Sequence, residues 1–224
     1  MIDIDYAIVR RPKRKTMSIV IRPDNQVDVL APSRMPATLI DHFVQDKQAW
    51  IQKKLRFNTE IRAKYQPKLF VEGESFDLLG KAYPLKLVSP ASETHIDNGK
   101  LITATASADN IKIQLTRWYH QEAETHFRQR CAHFAPMVGK APILVGIKAY
   151  KSRWGSCHHD GRIYFNWRLI MAPVWVIDDV IIHELCHLIH PNHSKVFWQE
   201  VARINPDHKK SQTWLKTNSL LLEL

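Results

Sequence analysis

Two hydrophobic rhythms alternate along the chain, and the switches between them mark its elements. Apolar or β-branched positions in residues 5–9, Met17–Arg22 and Gln26–Leu30 predict strands, with Pro23-Asp24-Asn25 as the turn between the last two. From Pro36 the period lengthens. Ile40, Phe43, Val44, Trp50, Ile51 and Leu55 form one face of a helix expected to run to about Lys64, and Pro67 closes the segment. Strands return at Lys68–Val71, Ser75–Leu79 and Tyr83–Val88. Asn98-Gly99 is a hairpin turn signal between Thr94–Ile96 and Leu101–Thr103. A second long helix, Ala108–Val138, follows from Ile111, Leu115, Trp118, Tyr119, Ala123, Phe127, Cys131 and Phe134, spaced mostly three or four apart.

Residues 142–150 are apolar and β-like, Lys151–Gly161 is a loop, and Arg162–Leu169 reads as the returning strand, so 143–169 is expected to form a hairpin. Pro173 opens a helix through Val180-Ile181-Ile182. It should end near Ile189 or His190, because Pro191 pushes the residue before it out of helical dihedrals. Ser194 is an N-cap for a helix over Lys195–Ile204, and Pro206 starts a last helix with Trp214 and Leu215 on its apolar side. No internal repeat is visible. The pattern is α+β, with a β-rich region crossed by one long helix over residues 1–107 and a second domain over 108–224.

Composition narrows the class. The chain has 224 residues, 45% of them hydrophobic, enough for one large or two small domains. Its longest apolar stretch, residues 169–182, is broken by Pro173 and by Asp178-Asp179, so no membrane span is expected. Met1–Asp5 is acidic and lacks a signal-peptide core, which reads as a cytoplasmic protein. The cysteines, Cys131, Cys157 and Cys186, are odd in number and form no Cys-x-x-Cys, against a disulfide framework. The net charge of +10 is spread along the chain. One basic cluster stands out, Arg10, Arg11, Lys13, Arg14 and Lys15. It suits nucleic-acid phosphates or, equally simply, a solvated strand edge that resists aggregation. No recognisable nucleic-acid fold motif accompanies it.

The chemistry concentrates at His183-Glu184-Leu185-Cys186-His187. On a helix the two histidines lie one turn apart on one face, so both imidazoles can reach one metal ion. Glu184 is rotated by about 100° from His183, beside the ion and not on it, where a general base for water activation belongs. A third ligand would come from beyond the helix end. The Pro191-Asn192 turn favours His193, with His190 and Glu200 as rivals. Three protein ligands with an open fourth position would make a catalytic site. His120, His126 and His133 read as surface or partner-bonded histidines of the long helix. Cys157 reads as a loop thiol, with a latency role on the metal as the lesser alternative.

Four motifs occur in order: Arg153-Trp154-Gly155-Ser156-Cys157, Asn166-Trp167-Arg168-Leu169, His183-Glu184-x-x-His187, and Asn192-His193-Ser194-x-x-Phe197-Trp198. Together they resemble the YgjP-like metal-dependent hydrolases, zincin-fold proteins related to the SprT-like and WLM-type metallopeptidases. The resemblance is tight over about residues 143–215. It implies a zincin-like core, a small mixed sheet with an active-site helix, behind the N-terminal β-rich region. It also implies one Zn2+ per chain on His183, His187 and His193, with Glu184 as general base. Metzincins share the step from His187 to His193, but they have glycine where His190 stands and a methionine turn downstream, and no methionine follows Met171 here.

The expected activity is peptide hydrolysis. Arg153, Tyr164 and His208 are candidates to stabilise the oxyanion, and strand 162–168 could pair with an extended substrate. Trp154 and Trp167 are expected to pack beside the helix. Two alternatives use the same centre. One is a nucleoside triphosphate pyrophosphatase, for instance on UTP, with Arg153, Arg162 and Arg168 on the phosphates. The other is a DNA-associated protease acting on DNA-bound proteins.

Overall fold

A computed structural model of the chain describes residues 4–22, 24–89 and 92–224, which leaves Pro23 of the first predicted turn outside the described residues. The chain divides into two compact units, Met1–Gln66 and Pro67–Leu224.

The first unit contains strands β1 (Ala7–Arg11), β2 (Ser18–Ile21) and β3 (Val27–Pro32), followed by helices α1 (Ala37–Asp46) and α2 (Gln48–Lys64). Its sheet has the order β1-β3-β2, with β1 parallel and β2 antiparallel to the central β3. Val27, Val29 and Ala31 alternate onto the face covered by Ile40, Val44 and Ile51. The expected single helix from Pro36 to Lys64 is broken at Lys47. A straight helix of that length would run about 43 Å, whereas a six-residue strand such as β3 spans only about 20 Å. The break lets both pieces cover the same short sheet. Trp50, expected on the apolar face, is 45% exposed.

The second unit begins with β4 (Ser75–Leu78), β5 (Lys81–Val88), β6 (His95–Asp97) and β7 (Lys100–Ala104), in the order β4-β5-β7-β6. The long helix α3 (Ala108–Val138) follows with the predicted bounds. Phe76, Leu78, Leu85 and Leu101 of this sheet share one core with Ile111, Leu115 and Tyr119 of α3, and the Tyr119 hydroxyl donates to the Asp77 carbonyl at 2.8 Å. Residues 67–107 therefore belong to the core of the second unit. The boundary expected at 107/108 falls instead at 66/67, because the β4–β7 sheet has one apolar face and α3 is what covers it.

The second sheet of this unit is β8 (Leu144–Lys148), β9 (Gly155–Cys157) and β10 (Arg162–Asn166), in the order β8-β10-β9. β8 runs parallel to β10 and so is not its hairpin partner. The hairpin is β9–β10, closed at Gly161 with φ +86, where the His158 N–H donates to the Arg162 carbonyl at 2.8 Å. The expected strand to Leu169 stops at Asn166, whose side chain caps a 3-10 helix over Trp167–Met171 by accepting from the Arg168 N–H. α4 (Val174–Cys186) then buries Val176, Ile177, Val180, Ile181, Ile182 and Leu185. Regular helix ends at Cys186, and tightened turns carry the hydrogen bonding on to His190, close to the proline-imposed limit. α5 (Lys195–Ile204) starts on its predicted Ser194 cap, and α6 (His208–Asn218) is followed by a 3-10 turn over Ser219–Leu222 that buries Leu222 in the same core. The Asp178 carboxylate takes both the Nε and an Nη of Arg130 at 2.6 and 2.7 Å, locking α4 to α3. No helix among the described residues is long and apolar enough to cross a membrane.

Candidate metal centre

α4 delivers His183 and His187 from one face, with ring centroids 4.8 Å apart. The turn after Pro191 brings back His193. Its Nε2 lies 3.1 Å from the His187 Nε2 and 3.0 Å from the His183 Nε2. Three lone-pair-bearing nitrogens gathered so closely repel one another unless a cation lies between them. Tetrahedral zinc, with Zn–N bonds of about 2.0–2.1 Å, spaces its nitrogens about 3.3 Å apart, so the donor set fits such an ion. Among the described residues these three histidines form the group that could hold a metal.

Neighbouring groups fix how the rings point. The His187 Nδ1–H donates to the His190 carbonyl at 2.9 Å, which puts the proton on Nδ1 and turns the Nε2 lone pair inward. The contribution of His190 is thus its backbone. Phe197 stacks on His187 at 4.4 Å and meets His183 and His193 edge-on. Trp198 stacks on His193 at 5.6 Å. Burial, then the neighbouring histidines, lowers His183 to about 3. Burial likewise lowers His187, against the opposing pull of the His190 carbonyl. Both imidazoles are therefore neutral at ordinary pH, the form that binds metals.

Glu184 is 6% exposed. Burial raises its carboxyl to about 8, while the Cys157 backbone N–H and the Arg153 charge oppose that rise. A cation held by the three histidines would oppose that rise as well, favouring the carboxylate form that can take a proton.

The remaining sequence candidates scatter. Arg153 is exposed, lies over the Tyr150 ring at 5.5 Å, and is close enough to act electrostatically on Glu184. His208 is buried, stacks on Trp198 at 5.5 Å, leaves its Nδ1 without a partner, and is felt electrostatically at His183. Tyr164 lies on the wrong face. It alternates with the core-facing Ile163 and Phe165, its ring covers Gly146, and Lys148 Nζ sits 3.7 Å above that ring. Glu184 instead lies against the Gly155–Phe165 side of the sheet. Glu200 pairs with Arg203 at 2.6 Å and stays outside the histidine group. The Cys157 thiol donates to the His158 carbonyl, and burial followed by the Glu184 charge pushes it up to about 11, so it stands as a thiol outside that group. Trp167 is buried, and the half-buried Trp154 packs on the same core.

Strand 162–168 is not available for pairing with a substrate, because β10 is the central strand of its sheet. The edge is β9. The pairs His158–Arg162 and Trp154–Asn166 face inward, so the backbone groups of Gly155 and Cys157 point outward. Sequence reasoning missed β9, since three residues are too few to show a period. It reached Phe197 and Trp198 only through resemblance.

The sequence matches the model of a family described as YgjP-like, metallopeptidase domain, over residues 15–218. No curated protein matches the chain. Among solved structures, the metallopeptidase zymogen abylysin of Pyrococcus abyssi is similar at 23% identity, covering 41% of this chain and 92% of that one, with a TM-score of 0.38.

Proposed function

This chain belongs to the YgjP-like metallopeptidase family and is a metal-dependent hydrolase, and from that premise we propose that it is a zinc peptidase with one ion on His183, His187 and His193 and with Glu184 as general base. The observation that carries the reading is the convergence of three Nε2 atoms, with the buried Glu184 next to His183 on α4. Zinc in that set supplies Lewis acidity toward water and a substrate carbonyl. Glu184 takes the proton of the attacking water as the new C–O bond forms, and returns it to the amide nitrogen as the C–N bond breaks. Arg153 and His208 are the groups offered to the developing oxyanion. The outward carbonyls of Gly155 and Cys157 on β9 can pair with an extended peptide.

Two observations weigh on the alternatives. Of the arginines suited to a polyphosphate, Arg162 is paired with Asp160 at 2.7 Å and Arg168 with Glu223 at 3.0 Å, which leaves Arg153. In the basic cluster, Arg10 donates to the Ser33 and Met35 carbonyls and Arg14 to the Thr16 carbonyl and the Ser18 hydroxyl. Nucleic-acid contact would therefore fall to the exposed Arg11, Lys13 and Lys15.

The test compares wild type with Glu184→Gln on unfolded protein, with and without single-stranded DNA, and on a panel of nucleoside triphosphates. The variant should keep about one zinc per chain and lose peptide cleavage by on the order of 10³-fold or more. Glu184-dependent triphosphate hydrolysis without peptide cleavage would replace the peptidase reading. Full activity of the variant would remove Glu184 as the base.

A further inference from the structure

Gly155 lies in β9, where the backbone conformation suits any residue, so glycine is not needed there for its dihedrals. It is needed for room. A Cβ at this position would lie 2.6 Å from the Glu184 Cγ, 2.7 Å from its Oε1 and 2.9 Å from its Cδ, closer than real Cβ atoms approach anything. Two residues further along the same outward edge, the Cys157 N–H lies close enough to the Glu184 carboxyl to favour its charged form. The strand thus offers a bare surface and a donor to one side chain.

The placement of that surface is itself fixed. The buried Asn166 donates through Nδ2 to the Tyr150 carbonyl at 2.9 Å and the Arg153 carbonyl at 3.3 Å, and its N–H donates to the Trp154 carbonyl at 2.8 Å. The loop leading into β9 is therefore tied to the end of β10, and the pairing of Gly155 with Phe165 sets the register. This gives a physical task to two sequence motifs, Arg153–Cys157 and the asparagine at 166, that the chemistry at the histidines does not use.

We propose that Gly155 is a positioning residue for Glu184: the side-chain-free strand surface and the outward Cys157 N–H form a cradle that holds the carboxylate in place beside the histidine trio. The inference rests on Glu184 being the general base. A methyl group at 155 forces the carboxylate off this seat. A displacement of about 1 Å in a reacting group costs on the order of 10²-fold in turnover.

The experiment is a cycle of four zinc-loaded proteins: wild type, Gly155→Ala, Glu184→Ala and the double variant. Zinc content, melting temperature, kcat and KM are measured for each. Gly155→Ala should keep one zinc per chain and its KM while kcat falls on the order of 10²-fold. Its melting temperature should drop in the wild-type background and hold in the Glu184→Ala background, where the obstructing atoms are gone. Unchanged kcat in Gly155→Ala, or an equal drop in melting temperature in both backgrounds, would overturn the proposal. If Gly155→Ala fails to fold, recovery of folding in the double variant supports the cradle, and failure of both overturns it. An active Glu184→Gln would sink the base assignment alone, since the coupling between 155 and 184 is read separately from the melting temperatures.

Discussion

Two three-stranded sheets in this chain share one wiring, and one of them carries the candidate chemistry. In β1-β3-β2 and in β8-β10-β9 the first strand runs parallel to the third, while the second pairs antiparallel on the other edge. Each is followed by a helix, α1 after β3 and α4 after β10 and its 3-10 turn. The differences lie in side chains. α1 buries Ile40 and Val44 and no polar residue, whereas α4 buries Asp179 and Glu184 among its apolar positions. On the edge strands, Ile19 stands opposite Val29, but Gly155 stands opposite Phe165. The wiring supplies a platform. A missing side chain on the edge and polar groups toward the helix end turn it into a site.

If the site is an addition to a platform that stands by itself, removing a ligand should abolish function and spare the fold. His187→Ala should lower zinc affinity by on the order of 10²-fold or more and abolish turnover. In metal-free buffer its unfolding free energy should stay within about 1 kcal/mol of wild type, because the apolar face of α4 is untouched. Chelator competition and denaturant unfolding measure the two quantities. A collapse of the metal-free fold would break the comparison, showing that the histidines hold the platform together.

The polar residues buried by α4 and not by α1 should also leave a pH signature. Asp179 is 4% exposed, and burial raises its carboxyl to about 6, against the opposing hydrogen bond from the Asn205 amide at 2.7 Å. A carboxyl raised above its unfolded value near 4 stabilises the fold while protonated. Its contribution is full below about pH 4 and is lost as pH rises through about 6. In Asp179→Asn the amide can still accept from Asn205 and carries no charge. Metal-free wild type should therefore lose on the order of 2 kcal/mol more than the variant between pH 4 and pH 7. Parallel stability–pH curves would show that Asp179 is solvated in the native protein.

What could be read in the sequence follows the range of each interaction. His183 and His187 are fixed by helix geometry over four residues, and α3 by a long period, so both emerge from local pattern. Ser194 announces α5 by its own cap. The parallel pairing of β8 with β10 depends on a crossover through residues 149–154 that no local pattern encodes. The residue type and position of Tyr164 suit an oxyanion partner, but the strand register puts it on the opposite face from Glu184, and register is a property of two strands, not one. The break at Lys47 is set by the length of the sheet beneath it, with no glycine or proline to mark it.

The smallest expected effect concerns His193, which the shared wiring does not supply. It rises from an exposed turn, without the helical frame of its two partners and without the carbonyl that pins His187. Its ring lies against Trp198, 5.6 Å away and inclined by 20°, and the far partner of that indole is His208, at 5.5 Å and 24°. Trp198→Leu removes the stacking surface and leaves all three ligands in place. Loss of a group that only orients a ligand costs about 10–100-fold in metal affinity, and because Phe197 still meets His193 edge-on the loss should sit at the low end, about 10-fold or 1.4 kcal/mol. Trp198→Phe keeps a ring for His193 and should recover part of the loss. Zinc competition with a chelator reads both variants. Equal affinity in wild type and Trp198→Leu would mean that the turn through Pro191 and Asn192 is enough to present His193, and that the aromatic wall serves packing alone.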